Sequence, residues 1–92
     1  MVILMSNDTL RQPYTLIGKP NCSYCVRART LLGLHDLQYT YIDLEDNRWL
    51  VSLLFRGGFK TVPQIFTPEG GLIGGYDDLV DYIEELEGGS DG

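Results

Sequence analysis

Two cysteines, Cys22 and Cys25, constrain this chain more than any other feature. They are the only cysteines among 92 residues, and only Ser23 and Tyr24 separate them. A short apolar run precedes them and a helix-like stretch follows. Two cysteines at i and i+3, where a strand leads into a helix, have the spacing of a dithiol redox centre. The free N–H groups and positive dipole end of the helix favour an anion, so we expect the pKa of the Cys22 thiol to be lowered.

Length and composition restrict the class of protein. A chain of 92 residues, 43% hydrophobic and 22% charged, is typical of one soluble globular domain. The net charge of −6 argues against a nucleic-acid partner. No run approaches the ~20 apolar residues of a membrane span, and the apolar residues 1–5 lack the basic flank of a signal peptide. Two cysteines do not make a disulfide scaffold, so we expect a reducing compartment, the cytoplasm.

Charge is unevenly distributed along the chain. Residues 11–30 contain four basic residues and no acidic one, whereas residues 69–92 contain eight acidic residues and no basic one. The basic stretch surrounds the cysteines and raises the electrostatic potential where a thiolate would form. We expect the acidic end to be a solvated helix face and a frayed tail.

The apolar periodicity predicts the element order β-α-β-α-β-β-α within an α/β domain. The first two strands are joined by a helical crossover, so they must be parallel, whereas the last two strands form a hairpin and are antiparallel. The result is a four-stranded mixed sheet with helices on both faces. We expect residues 1–12 to be an N-terminal extension, residues 13–87 the domain and residues 88–92 a disordered tail. The predicted strands cover residues 14–17, 38–44, 62–66 and 72–73, and the predicted helices cover residues 23–32, 49–54 and a segment starting at 77 or 78.

Side-chain patterns predict how each helix packs and begins. In the first helix, Cys25, Ala28 and Leu32 share one face. Residues 45–47 are predicted to cap the second helix, in which Trp49 is expected to pack in the core or a groove together with Leu50 and Leu53. Asp77 or Asp78 is predicted to cap the third helix, whose buried face would consist of Leu79, Ile83 and Leu86.

Three segments together resemble a known family. They are Lys-Pro-Asn-Cys-Ser-Tyr-Cys at 19–25, Thr-Val-Pro-Gln-Ile-Phe at 61–66 and Gly-Gly-Tyr-Asp-Asp-Leu at 74–79. In this order and spacing, and on these elements, they resemble a glutaredoxin over about residues 13–87. The compact size and the hairpin at residues 66–70 are also similar to the small glutaredoxins of bacteriophages. The resemblance implies a thioredoxin fold and glutathione as co-substrate.

The resemblance also implies roles for residues near the cysteines. Cys22 matches the nucleophile, which takes up glutathione as a mixed disulfide, and Cys25 matches the resolving cysteine. Lys19 matches the residue that pairs with the glycine carboxylate of glutathione. Tyr24 matches the aromatic residue that shapes the cleft.

Two further segments match glutathione-binding positions. In the first, Thr61 precedes Val62, whose backbone is expected to pair with the cysteinyl part of glutathione, next to a cis Pro63. In the second, backbone N–H groups suit the γ-glutamyl carboxylate and an aspartate suits its ammonium group. The residues of this second segment are Gly75, Tyr76, Asp77 and Asp78.

Departures from the family pattern leave alternatives open. Ser23 stands where proline is most common, and in this family that replacement is associated with a [2Fe-2S] cluster held between two protomers through Cys22. A zinc site is a second alternative, with His35 as a further ligand. A third is a thioredoxin-like reductant served by a flavoenzyme. The expected partners are glutathione and disulfide-containing or glutathionylated proteins, with ribonucleotide reductase as one family-based expectation, and the chain is expected to be a monomer.

Overall fold

The computed structural model describes residues 13–88, so the N-terminal extension and the end of the tail lie outside the described residues. Seven elements follow one another in the predicted order. The strands are β1 (Tyr14–Gly18), β2 (Tyr39–Asp43), β3 (Gln64–Phe66) and β4 (Leu72–Gly74). The helices are α1 (Ser23–Leu34), α2 (Trp49–Arg56) and α3 (Tyr76–Gly88).

The four strands form one mixed sheet in the order β2-β1-β3-β4. Strands β1 and β2 are parallel, with Leu16 opposite Tyr41, and α1 provides the crossover between them. Strand β3 pairs antiparallel to β1, with Ile65 opposite Leu16, and β4 pairs antiparallel to β3. The predicted sheet is confirmed, and with its three flanking helices it has the thioredoxin fold.

The main core lies where α1 and α3 pack on one face of the sheet. Strands β1 and β3 contribute two fully buried residues, Leu16 and Ile65, which are opposite each other. Because side chains alternate along a strand, Ile17 and Gln64 point to the opposite face, and both are buried there as well. The core cluster comprises Leu16, Ala28, Leu32, Ile65, Leu79 and Ile83.

The end of α3 differs from the prediction. Leu79 and Ile83 are buried as expected, but Leu86 is 53% exposed, so its assignment to the buried face is wrong. Leu86 lies in the last turn of α3, where the helix extends beyond the core.

The predicted cap of α2 is also wrong. The N-cap residue is Arg48, which has helical backbone angles and makes no side-chain capping hydrogen bond. The residues expected to cap are engaged with the end of β2 instead. The side-chain amide of Asn47 donates to the carbonyl of Asp43, and the backbone N–H of Glu45 donates to the Asp43 carboxylate.

Helix α2 packs more loosely than its sequence suggests. None of its residues is buried, and Trp49 is 67% exposed, so the expected packing of Trp49 in the core or in a groove is wrong. Leu53 is more than half exposed too. Apolar residues occur on several sides of this short helix, and the sheet can cover only one of them.

No helix within residues 13–88 is both long enough and apolar enough to cross a bilayer.

Candidate active site

The two cysteines lie where β1 leads into α1. A turn containing Asn21, at a φ of 60°, leads to Cys22, which is the N-cap residue of α1 with extended backbone angles. Cys22 and Cys25 are joined as a disulfide, with their Cα atoms 5.2 Å apart. Cys25 is 1% exposed, whereas Cys22 is only partly buried. A substrate can therefore reach the first sulfur more readily than the second.

The sulfur of Cys22 acts as the helix cap. The backbone N–H of Cys25 donates a hydrogen bond to Cys22 Sγ over 3.2 Å, the contact that an N-cap serine or aspartate oxygen usually accepts. A thiolate at this position would accept the same bond and face the positive end of the helix dipole. The fold thus stabilises an anion at Cys22 and leaves Cys25 in apolar surroundings.

Close packing behind Cys25 fixes the buried sulfur. A Cβ atom placed on Gly18 would lie 2.9 Å from Cys25 Sγ and 3.1 Å from the ring of Tyr41, so only glycine fits this position without movement. The guanidinium of Arg29 lies 4.2 Å from the centroid of the Tyr41 ring. Arg29 is exposed, and its cation lies over the ring of the tyrosine that packs beside Gly18.

The loop before β3 contacts the cysteines from the other side. The Val62–Pro63 peptide bond is cis, as predicted, and Pro63 is buried. The carbonyl oxygen of Val62 lies 3.9 Å from Cys22 Sγ. The side-chain amide of Gln64 donates to the carbonyl of Thr61 over 3.0 Å and holds the loop in place.

A groove of about 850 Å³ opens beside Cys22. Four of the residues predicted to bind glutathione line it together with the nucleophile, although they come from separate parts of the chain. These are Lys19, Tyr24, Thr61 and Val62. The tertiary structure therefore brings a cation, an aromatic ring and the loop before β3 into one groove with the sulfur of Cys22.

The second predicted binding segment lies next to the groove but does not line it. The Tyr76 ring is 5.9 Å from the Tyr24 ring, and a Cβ on Gly75 would lie 3.7 Å from the carbonyl of Pro63. Asp77 is exposed on the first turn of α3. This segment therefore contacts the lining of the groove at Tyr24 from outside.

Asp78 caps α3 from inside the helix. Helix α3 begins at Tyr76, so neither Asp77 nor Asp78 is the N-cap residue itself, but the prediction that one of them caps the helix is confirmed for Asp78. Its carboxylate reaches back from the first turn and accepts a hydrogen bond from the N–H of Gly75 over 3.0 Å. This contact is one half of a capping box.

Sequence reasoning missed one side of the groove. Eight further residues line it, from the end of β2, α2 and the segment after α2: Leu44, Glu45, Arg48, Val51, Leu54, Phe55, Phe59 and Lys60. The available signal was the number of apolar residues in α2, which exceeds what one buried face requires.

The described residues offer no ready-made metal centre. Within residues 13–88, no three His, Cys, Asp or Glu side chains come together as a possible metal site. His35 pairs with Glu87 over 2.6 Å rather than with the cysteines. A cluster or ion bound through Cys22 would therefore need ligands from outside this part of the chain.

An accessible sulfur at a helix N-terminus, joined to a buried partner sulfur three residues further along the chain, defines a thiol–disulfide oxidoreductase of the thioredoxin fold. The glutaredoxin family model matches residues 14–72. Glutaredoxin 1 of Escherichia coli is 35% identical over 78 residues, which cover 76% of this chain and 91% of that protein. The chain belongs to the glutaredoxin family.

A longer relative and a solved structure are also similar to this chain. The hybrid peroxiredoxin hyPrx5 of Haemophilus influenzae is 36% identical over 80 residues, which cover 87% of this chain but only 33% of that longer protein. The crystal structure of the buckwheat glutaredoxin–glutathione complex has a TM-score of 0.68 at 24% identity and covers 94% of this chain and 84% of that chain. At this identity, the structural match shows the fold alone.

Proposed function

We propose that this chain uses glutathione to reduce glutathione mixed disulfides and protein disulfides. The observation that carries the proposal is the position of Cys22. Its sulfur caps α1, lines the groove and lies 3.9 Å from the Val62 carbonyl, with Lys19 lining the same groove. An extended peptide with a free carboxylate, such as glutathione, matches this combination of backbone and cation. Membership of the glutaredoxin family supports the same assignment.

In the first route only Cys22 reacts. Its thiolate attacks the glutathione sulfur of a mixed disulfide, the old S–S bond breaks, and the substrate sulfur leaves with the electron pair and takes up a proton. The thiolate of a second glutathione then attacks the Cys22–glutathione disulfide. Glutathione disulfide is released, and Cys22 is again a thiolate. In the net reaction, the mixed disulfide and one free glutathione give the substrate thiol and glutathione disulfide.

In the second route both cysteines react. Cys22 attacks a protein disulfide and forms a mixed disulfide with the substrate, releasing one substrate thiol. Cys25 then attacks Cys22, which frees the second substrate thiol and closes the Cys22–Cys25 disulfide, the state present in the structure. Two glutathione molecules reduce this disulfide and leave as glutathione disulfide. The burial of Cys25 supports its role as the internal partner.

The proposal is tested with glutathionylated 2-mercaptoethanol, with glutathione disulfide formation coupled to glutathione reductase. We expect rapid turnover that disappears in Cys22→Ser and persists in Cys25→Ser, whereas reduction of a protein disulfide requires both cysteines. Loss of the glutathione-only route in Cys25→Ser would overturn the division of roles. No turnover by folded wild-type protein, together with reduction by a thioredoxin reductase, would instead favour a reductant served by a flavoenzyme.

The wider assignments follow from the same proposal. Disulfide-bonded and glutathionylated proteins are the substrates, with ribonucleotide reductase as a candidate, and the chain acts as a cytoplasmic monomer. No observation within the described residues favours a bound [2Fe-2S] cluster.

A further inference from the structure

One wall of the groove contains no residue that is assigned to glutathione binding. Helix α2 contributes Val51 and Phe55, which are 47% and 62% exposed. Leu54 and Phe59 complete an apolar surface, and we name these four residues the α2 wall. Exposed apolar side chains clustered in a concave surface mark a binding site more often than chance exposure does.

Positive charge borders the α2 wall. Lys19, Arg48 and Lys60 line the groove, against Glu45 as its one acidic lining residue. The ammonium group of Lys60 lies 5.7 Å from the centroid of the Phe55 ring, so one cation sits directly on the apolar surface. This positive groove contrasts with a net charge of −6 for the whole chain. The local field therefore selects acidic groups that the rest of the surface repels.

We propose that the α2 wall binds the polypeptide segment that flanks the reactive cysteine of a protein substrate, one with an apolar side chain next to an acidic one. The apolar side chain packs on Val51 and Phe55, and the acidic side chain faces Lys60. The proposal rests on the proposed function, since Cys22 lines the same groove and a polypeptide disulfide that reaches its sulfur lies beside the wall. Glutathione would use the other lining residues, those assigned to it above: Lys19, Tyr24, Thr61 and Val62.

The helix itself provides a matched control. Val51 and Phe55 are four residues apart and share one face of α2, whereas Trp49 lies about 200° around the axis from Val51. Trp49 is as exposed as Phe55 but does not line the groove. Removing either side chain deletes an exposed aromatic ring from the same helix, but only one of the changes alters the proposed wall.

The test uses short synthetic peptides, each with one glutathionylated cysteine. One has Leu and Asp beside the cysteine, a second has Leu and Lys, and a third has Ser and Asp. We expect the kcat/KM of the Leu–Asp peptide to exceed that of each other peptide by about tenfold, a free-energy difference of about 1.4 kcal/mol. The advantage over the Leu–Lys peptide should shrink with added salt, because screening weakens interactions between exposed charges. Equal kcat/KM for the three peptides would overturn the proposal.

Variants then locate the surface. Phe55→Ala should reduce kcat/KM for the Leu–Asp peptide about fivefold more than for glutathionylated 2-mercaptoethanol, and Lys60→Gln should remove the preference for Asp over Lys. Trp49→Ala should leave the peptide preference unchanged. Equal effects of Phe55→Ala and Trp49→Ala would refute the assignment of the surface. Absence of wild-type turnover with the small substrate would count against the proposed function itself, whereas turnover without peptide preference counts against this inference alone.

Discussion

The backbone N–H of Cys25 donates a hydrogen bond to the sulfur of Cys22 over 3.2 Å. Cys22 is the N-cap residue of α1, and Cys25 lies one turn inside the helix with 1% exposure. The capped sulfur is therefore the more accessible of the two, which supports the proposed division of roles between the cysteines.

This contact leads to a prediction about acidity. In reduced protein, we expect the pKa of Cys22 to lie below the free-thiol value of about 8.5, because the N–H of Cys25 and the helix dipole stabilise the thiolate. Thiolate ultraviolet absorbance of Cys25→Ser, followed across pH, measures it. Since the folded-state pKa is lowered, the resulting stabilisation is present at high pH and is lost as pH falls through that value. A midpoint at or above 8.5 would contradict the prediction.

Packing behind the buried sulfur predicts the effect of Gly18→Ala. The added Cβ would lie 2.9 Å from Cys25 Sγ, so we expect the free energy of unfolding to fall by about 1–3 kcal/mol, as for other overpacked sites. Reduction of protein disulfides, for which the proposed mechanism uses both cysteines, should slow more than the glutathione-only route. Urea denaturation and the two activity assays measure these effects.

Gly33→Ala is the control for this variant. A Cβ at Gly33 meets no atom within 4 Å, and alanine favours the helix over glycine, so stability should stay the same or rise slightly. Similar losses in both variants would show that contact with Cys25 is not the cause.

The start of α3 predicts unequal roles for two adjacent aspartates. Asp78→Ala removes the hydrogen bond from the N–H of Gly75 and should lower the free energy of unfolding by about 1 kcal/mol. Asp77 lies in the same turn but does not make that hydrogen bond, so Asp77→Ala should lower the free energy of unfolding by less. Thermal denaturation of the two variants makes the comparison, and equal losses would refute a specific role for Asp78.

A tyrosine pair across the fold predicts sensitivity to high pH. The hydroxyls of Tyr14 and Tyr82 are 3.0 Å apart, and burial together with this hydrogen bond raises the pKa of Tyr14 well above its ordinary value. Because the folded-state pKa is raised, the stabilisation is complete below about pH 10 and is lost as pH rises further. Tyr14→Phe should lower the free energy of unfolding by about 0.5–1.5 kcal/mol at neutral pH. It should also reduce the loss of stability at alkaline pH.

Denaturant titrations of Tyr14→Phe, Tyr82→Phe and the double variant check this pair. If the hydroxyls interact, the double variant should lose less than the sum of the single losses. Strict additivity would show that they do not stabilise each other.

Much of the fold could be predicted because local patterns agree with the tertiary structure. The strand–Cys22–helix junction, the hairpin at β3 and β4 and the buried face through Ala28 and Leu32 follow from periodicity and turn residues. The cap of α2 could not be predicted in the same way. Asn47 contacts Asp43 of a neighbouring strand, and a side chain that suits a cap also suits that contact.

The order of the elements, the cysteine pair and its place at a helix N-terminus could be predicted from sequence, because these features depend on residues close together in the chain. Which surfaces meet at Cys22 depends on how distant segments pack. The tertiary structure brings the loop at Val62 to the sulfur, places Gly18 against Cys25 and turns Phe55 towards the groove while Trp49 faces solvent. A helix with apolar residues on several sides does not specify which side is covered, since burial depends on where the sheet lies.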